Sequence, residues 1–286
     1  MTDQYHIHIV GCVPRSGTTL MTELMVNCFN IDAYTAHEYS IYKEFPHDYQ
    51  ILCTKKPNDI ERVTYPLKVN PQLYVIYLLR DPRDAISSRS HAKNNEDKKI
   101  WGNLRTWLDH QAIADSLSQH PRFITIRYED LVSAPDATQD RLLQQLPFLS
   151  RRVKFSEFHT VAKPSEKSQA ALGEIRPISA ASVGNWRKHK AYLKAQVEKY
   201  GDISDILIRL GYELDKQWLE EFKDVVADNS DEPEKVMPKW KQYWMRYLTT
   251  PRRKLLYRLS ISPTFGKCIN RLRHGIRTNV RNDTHA

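Results

Sequence analysis

The stretch VGCVPRSGTTLM, Val10 to Met21, places a glycine, three small hydroxyl residues and one basic side chain between an apolar run and a helical pattern. A strand, a glycine-containing turn and a helix start aim several main-chain N–H groups at one anion, and the helix dipole adds to the attraction. Gly17 lets the main chain approach closely. Ser16, Thr18 and Thr19 offer hydroxyls, and Arg15 offers a permanent forked charge suited to phosphate or sulfate oxygens. The nucleoside-triphosphate loop G-x-x-x-x-G-K-[ST] is not met: Gly11 and Gly17 are one residue too far apart, and Thr18 stands where the lysine belongs. No adjacent apolar run ending in a lone Asp provides a magnesium partner. These departures disfavour a nucleotide kinase, which stays as the alternative enzyme, while a strand–helix turn with threonine caps is the plain alternative.

A second anchor is LLRDPRDAISSRS, with Arg80 at a strand end and Ser88 eight residues on, in a helix that the pattern starts at Ile86. A charged fork and a hydroxyl at that spacing reach one phosphate. Arg83 and Asp84 read as an internal ion pair that shapes the turn. Lys55 and Tyr128 also follow apolar strand candidates.

The elements that must position these groups alternate along the chain. HIHIV (6–10), YQILCTK (49–55), LYVIYLL (73–79) and RFITIRY (122–128) read as strands, and LYVIYLL is apolar throughout, as in a parallel sheet covered on both faces. Helices are expected over 18–30, 104–117, 137–146 with Asp136 as cap, 191–200 and 203–210. Such alternation means an α/β sheet with right-handed crossovers and ligands at the carboxyl ends of the strands.

The combination PRSGTT after a strand, Arg80…Ser88 within RDPRDAISS, and RYEDLV (127–132) resembles the sulfotransferases that use 3′-phosphoadenosine 5′-phosphosulfate. The likeness covers roughly residues 5–215 and is closer to the tyrosylprotein and bacterial carbohydrate branch, which has Arg in the loop. It implies a three-layer, P-loop-like α/β fold with a central parallel sheet of about five strands. It implies that Arg15, Ser16, Gly17, Thr18 and Thr19 hold the 5′-phosphosulfate, that Arg80 and Ser88 hold the 3′-phosphate, and that Tyr128 lies near the adenine. It implies that Lys55, by its K-x-P spacing, reaches the transferring group. Within GEIRPISAASVGNWRKHK (173–190), Arg176, Pro177 and Trp186 match the segment that closes on the cofactor, with Arg176 near the phosphosulfate. No metal is implied, and 3′-phosphoadenosine 5′-phosphate (PAP) is the product. The general base falls in TAHEYS, on Glu38 first and His37 second, at a spacing that departs from the family's. The branch favours a carbohydrate or glycolipid hydroxyl as acceptor, with Trp101 and Trp107 as lining or as core.

Over 286 residues the net charge is +9, and it is unevenly placed: 235–281 hold 13 Lys and Arg and no acid. We therefore divide the chain into a catalytic domain, 1–215, and a linker with a basic aromatic helical extension, 216–286. The extension fits an anionic lipid surface through 235–282, or a helix packed on the catalytic domain; nucleic acid is disfavoured for want of a motif. A non-catalytic binding module built on this tail is a third functional class. The opening MTDQYHIHIV lacks a basic leader, no apolar run approaches membrane-spanning length, and Cys12, Cys28, Cys53 and Cys268 lack metal-ligand spacing, so a cytoplasmic protein with reduced thiols is expected.

Overall fold

A run such as Leu73–Leu79, apolar on both of its faces, is stable only between two layers. In the computed structural model it lies next to the centre of a five-stranded sheet. The structure describes residues 4–35, 37–43, 48–89, 100–173, 175–228 and 251–262. The strands are β1 (Tyr5–Gly11), β2 (Ala33–Tyr34), β3 (Ile51–Lys55), β4 (Leu73–Leu79) and β5 (Phe123–Arg127), in the spatial order β2-β3-β1-β4-β5. Every pairing is parallel.

Side chains alternate across β1. Ile7 and Ile9 join Ile76, Leu78, Ile124 and Ile126 under α1 (Thr18–Cys28), which buries Met21, Leu24, Met25 and Cys28. Val10 faces the other way, with Val75, Tyr77 and Trp107, under α4 (Leu104–Leu117). This second face also takes two polar residues of β1. His6 and His8 both meet the Thr54 hydroxyl at 2.7 Å, and all three are buried. The α/β architecture with helices on both faces of a parallel sheet is the one the alternation pointed to.

Register decides what the carboxyl edge presents. Ile9 lies opposite Lys55, Gly11 opposite Leu78, and Leu79 opposite Arg127. The residues that follow, in the loop 12–17 and at Lys55, Arg80 and Tyr128, therefore stand in one row. The chain leaves β1 toward β3 and later returns to β4 on its other side, so the order reverses at β1. Open α/β sheets bind ligands at such a reversal.

Two element boundaries differ from expectation. The helix read from Ile86 is α3 (Pro82–Ser87), which starts four residues earlier. Asp81 caps it by accepting from the Arg83 N–H, and Pro82 occupies the first turn, where its missing donor costs nothing. Ser88 then sits just past the helix, in extended conformation, not inside it. Asp136 does not cap α6 (Pro135–Gln145), because its carboxylate turns to the Ser156 N–H and hydroxyl; the N-cap is Ala134. Short helices also form at α2 (Thr64–Val69), α5 (Tyr128–Ser133), α7 (Phe158–Val161) and α8 (Glu166–Leu172), and the later helices α9 (Lys190–Tyr200) and α10 (Ser204–Arg209) fall where the pattern put them.

Past residue 215, Trp218 and Phe222 pack edge-on with Trp186 in the main core. Residues 251–260 are helical, and Tyr257 anchors them. Its hydroxyl accepts from Asn70 Nδ2 at 3.2 Å, and its ring meets Tyr42 edge-on. Asn70 lies just before β4, so this helix docks at the amino-terminal edge of the sheet, opposite the row described above. Arg252, Arg253, Leu255 and Arg258 of the helix are exposed. No helix among the described residues is long and apolar enough to cross a membrane.

Candidate active site

The loop after β1 is shaped by what its small residues make room for. A Cβ on Gly11 would stand 2.0 Å from Ser16 Oγ, so the loop closes back onto its own strand only with glycine there. Ser16 is fully buried, and its hydroxyl donates to the Val13 carbonyl at 2.8 Å. That hydroxyl fixes the turn. Arg15 has φ 77°, the one non-glycine residue among those described with positive φ, and Gly17 follows with φ 93°. Turns of this kind gather successive N–H groups around a concave point. Met21 N–H to the Gly17 carbonyl is a first-turn bond of α1, and the preceding N–H groups have no intrahelical partner. The first turn holds no acid.

Two arginines converge on this turn. Arg80 donates from Nη1 to the Arg15 carbonyl at 2.8 Å and from Nη2 to the Ser182 carbonyl at 3.1 Å. Its guanidinium lies 4.4 Å from the Tyr128 ring centroid. The Tyr128 ring also covers Gly17, and its hydroxyl shares a 2.7 Å hydrogen bond with Ser182 Oγ. Neither Arg15 nor Arg80 forms a salt bridge among the described residues, and the Nε of each is buried without a partner. Burial, and then the charge of Arg80, lowers the proton affinity of Arg15. Two desolvated like charges side by side, each with an open donor, are stable when an anion joins them.

Lys55 closes the row. It is 9% exposed, and its ammonium donates to Thr19 Oγ1 at 3.0 Å. Burial lowers its pKa, the carboxylates of Glu38 and Glu23 oppose that, and Arg15 adds to it. Glu38 is held nearby because the next residue, Tyr39, donates its N–H to the Lys55 carbonyl at 2.8 Å. Glu38 and His37 are both exposed. Glu38 acts electrostatically on Lys55, whereas the His37 carbonyl only accepts from the Thr35 hydroxyl at 3.3 Å.

A pH test follows from the Lys55 environment. Its folded pKa lies below the unfolded value of about 10.4, so the unfolded chain binds more protons between the two values. In that window this group's contribution to stability rises with pH. Over the same window the charged form is lost, and any turnover that needs it declines. Lys55→Arg, which stays charged, should flatten this alkaline decline in a pH–rate profile. An unchanged decline in the variant would remove Lys55 from the reacting centre.

Other expected positions move. Trp107 is fully buried and donates from its ring nitrogen to the Arg80 carbonyl at 3.2 Å, so it is a core anchor. Trp101 is 57% exposed, and the adjacent Gly102 packs on Val13 of the loop. The polar stretch before it, 90–99, lies outside the described residues. Arg83 and Asp84 do not pair with each other. Arg83 pairs with Asp81 and Glu213, while Asp84 accepts from the N–H groups of Gly184 and Trp186. Arg176 is exposed, and Trp186 turns into the core under Arg83. The residue of that segment which meets Arg80 and Tyr128 is Ser182, and a serine among serines and alanines carries no signal in the sequence.

Residues 24–148 match the model of the sulfotransferase family. This match takes in Glu38, Lys55, Arg80, Ser88 and Tyr128 but not the loop at 11–17 or the segment at 176–187. The solved structures it is similar to include the sulfotransferase domain from the Synechococcus PCC 7002 olefin synthase, at 15% identity, covering 65% of this chain and 89% of that one, with TM-score 0.43. The sulfotransferase domain from the curacin biosynthetic pathway is 14% identical, covering 86% and 98%, with TM-score 0.36. Mouse sulfotransferase SULT7A1 complexed with PAP is 14% identical, covering 96% and 90%, with TM-score 0.36. Among curated proteins none matches the chain in sequence.

Proposed function

We propose that the chain transfers a sulfonyl group from 3′-phosphoadenosine 5′-phosphosulfate to a hydroxyl on a carbohydrate or glycolipid. The observation that carries this reading is the Arg15–Arg80 pair: two desolvated guanidiniums, each with an orphaned Nε, at the mouth of a strand–turn–helix. Such a site fits a nucleotide with separate anionic groups and needs no Walker lysine. Arg15, Thr18, Thr19 and the free N–H groups from Gly17 into the first turn of α1 would hold the 5′-phosphosulfate. Ser16 shapes the turn that presents them. Arg80 and Ser88 would hold the 3′-phosphate, Tyr128 would border the base, and Arg176 would lie at the phosphosulfate. The cofactor supplies a sulfonyl group bonded to a phosphate, a leaving group stable without a metal.

Glu38, with His37 as the second choice, takes the acceptor's proton. Arg15 and Lys55 stabilise charge on the sulfonyl oxygens and on the bridging oxygen as its bond to sulfur breaks and the acceptor oxygen bonds to sulfur. This is catalysis by position and charge. The exposed Trp101 beside the loop favours a sugar acceptor, since an aromatic face suits a pyranose. The exposed cations of 251–260 favour a cytoplasmic protein that touches an anionic lipid surface at its periphery.

Calorimetric titration with PAP in the absence of magnesium, beside ATP with magnesium, tests the reading. PAP should bind and ATP should not, and Arg80→Ala should weaken PAP by about tenfold or more, the loss of one charge-assisted contact. Preference for ATP, or indifference to both, would return the kinase or the non-catalytic module to first place.

A further inference from the structure

Asp84 is 2% exposed and forms no salt bridge among the described residues. Each of its oxygens takes one main-chain N–H from a segment a hundred residues away. Oδ2 accepts from Gly184 at 2.7 Å and Oδ1 from Trp186 at 2.8 Å. Gly184 is left-handed, with φ 77°, and starts the short helix Asn185–His189. The bond to Trp186 is backed by its ring, which is buried against Arg83, Trp218 and Phe222.

The segment so fastened carries Ser182, two residues before Gly184. Asn185 Nδ2 donates back to the Ala181 carbonyl at 3.1 Å, which stiffens the span. From Ser182 the carbonyl takes Arg80 Nη2 and the hydroxyl meets Tyr128, whose ring covers Gly17. One buried carboxylate is thus linked, through five residues of main chain, to the arginine, the tyrosine and the glycine of the anion site. Asp84 itself touches none of them by hydrogen bond.

We propose that Asp84 is a positioning residue for the nucleotide: by holding the N–H groups of Gly184 and Trp186 it fixes Ser182 over Arg80 and Tyr128, and so sets the affinity of the anion site. This rests on the sulfotransferase reading. A carboxylate is required because both donors are main-chain N–H groups, and an amide has one oxygen and would face the other donor with its NH₂. Burial raises the Asp84 pKa, and the charge of Asp81 adds to this; the bond from Gly184, the charge of Arg80 and the bond from Trp186 oppose it.

The test uses the full chain with Asp84→Asn, Ser182→Ala and the double variant. Asp84→Asn should weaken PAP by about tenfold to a hundredfold, the span of one to two contacts. It should raise KM for the donor while leaving kcat at saturating donor and KM for the acceptor within about threefold, because no reacting group has moved. Amides 183–186 should exchange faster in the free variant. Ser182→Ala should weaken PAP by about threefold to tenfold, and less once Asp84→Asn is present, since both act through one span. Unchanged PAP affinity in a folded Asp84→Asn protein overturns the proposal, as does full additivity in the double variant. If Asp84→Asn does not fold, Ser182→Ala alone decides: weakened PAP supports the proposal and unchanged affinity overturns it. Wild-type protein that fails to bind PAP would bring down the functional reading and this proposal together, an outcome visible before any variant is made.

Discussion

Arg15→Ala is expected to lower sulfonyl transfer by about 10²- to 10³-fold, the usual effect of deleting a donor aimed at developing charge. Its stability should hold. Arg15 is desolvated beside Arg80 and has no salt bridge among the described residues, so the folded chain gains nothing from its charge while the site is empty. The left-handed backbone at φ 77° costs alanine about as much as arginine, roughly 1–2 kcal/mol. Arg15→Gly should then unfold at higher urea than either, with the same loss of activity. Single-turnover transfer and urea unfolding on the three proteins separate the two effects. A rate within tenfold of wild type in Arg15→Ala would show that the charge is not spent on the reacting group.

The second large effect is expected at Gly17. A Cβ there would lie 2.5 Å from the Tyr128 ring, at φ 93°. The left-handed backbone costs about 1–2 kcal/mol for any L-residue, and overpacking about 1–3 kcal/mol more. Gly17→Ala must either displace Tyr128, breaking its contacts with Arg80 and Ser182, or distort the start of α1. PAP binding should fall beyond calorimetric detection. Gly201 offers the control: its φ is 103°, and a Cβ there meets nothing within 4 Å. Gly201→Ala should therefore lose the conformational part alone and keep PAP affinity. Equal destabilisation of the two, with PAP still bound to Gly17→Ala, would refute the tight cover by Tyr128.

The legible parts of the chain were those where local pattern and final environment agree. Leu73–Leu79 is apolar at every position and lies buried in the sheet, so its bounds could be read directly. The same holds for α4, where Asn103 caps a clear helical period. The start of α3 was missed because Pro82–Ser87 is buried on all sides, and a helix without an exposed face has no amphipathic period to read. The Asp81–Pro82 pair did mark it, through capping and the proline preference of the first turn.

At the site, residue types were legible and directions were not. Ser16 has the chemistry of an anion ligand, yet the room left by Gly11 turns its hydroxyl inward. Arg83 and Asp84 looked like partners because they are adjacent, but successive helical positions do not face each other, and each found a partner elsewhere in the fold. Ser182 joins the site through contacts 54 and 102 residues away in sequence, and no local pattern encodes that. The buried His6–Thr54–His8 group was hidden in the same way, since two histidines in a strand read only as strand.

The docking of residues 251–260 beside Asn70 gives the molecule a polarity. One pole collects cations on a surface helix, while the other recesses them around a turn, with β4, about 23 Å of strand, between. An anionic surface drawn to the first pole would leave the second facing outward. An acceptor would then have to reach the mouth from solution or on a long glycan stalk, and a headgroup lying flat on that surface would be out of range.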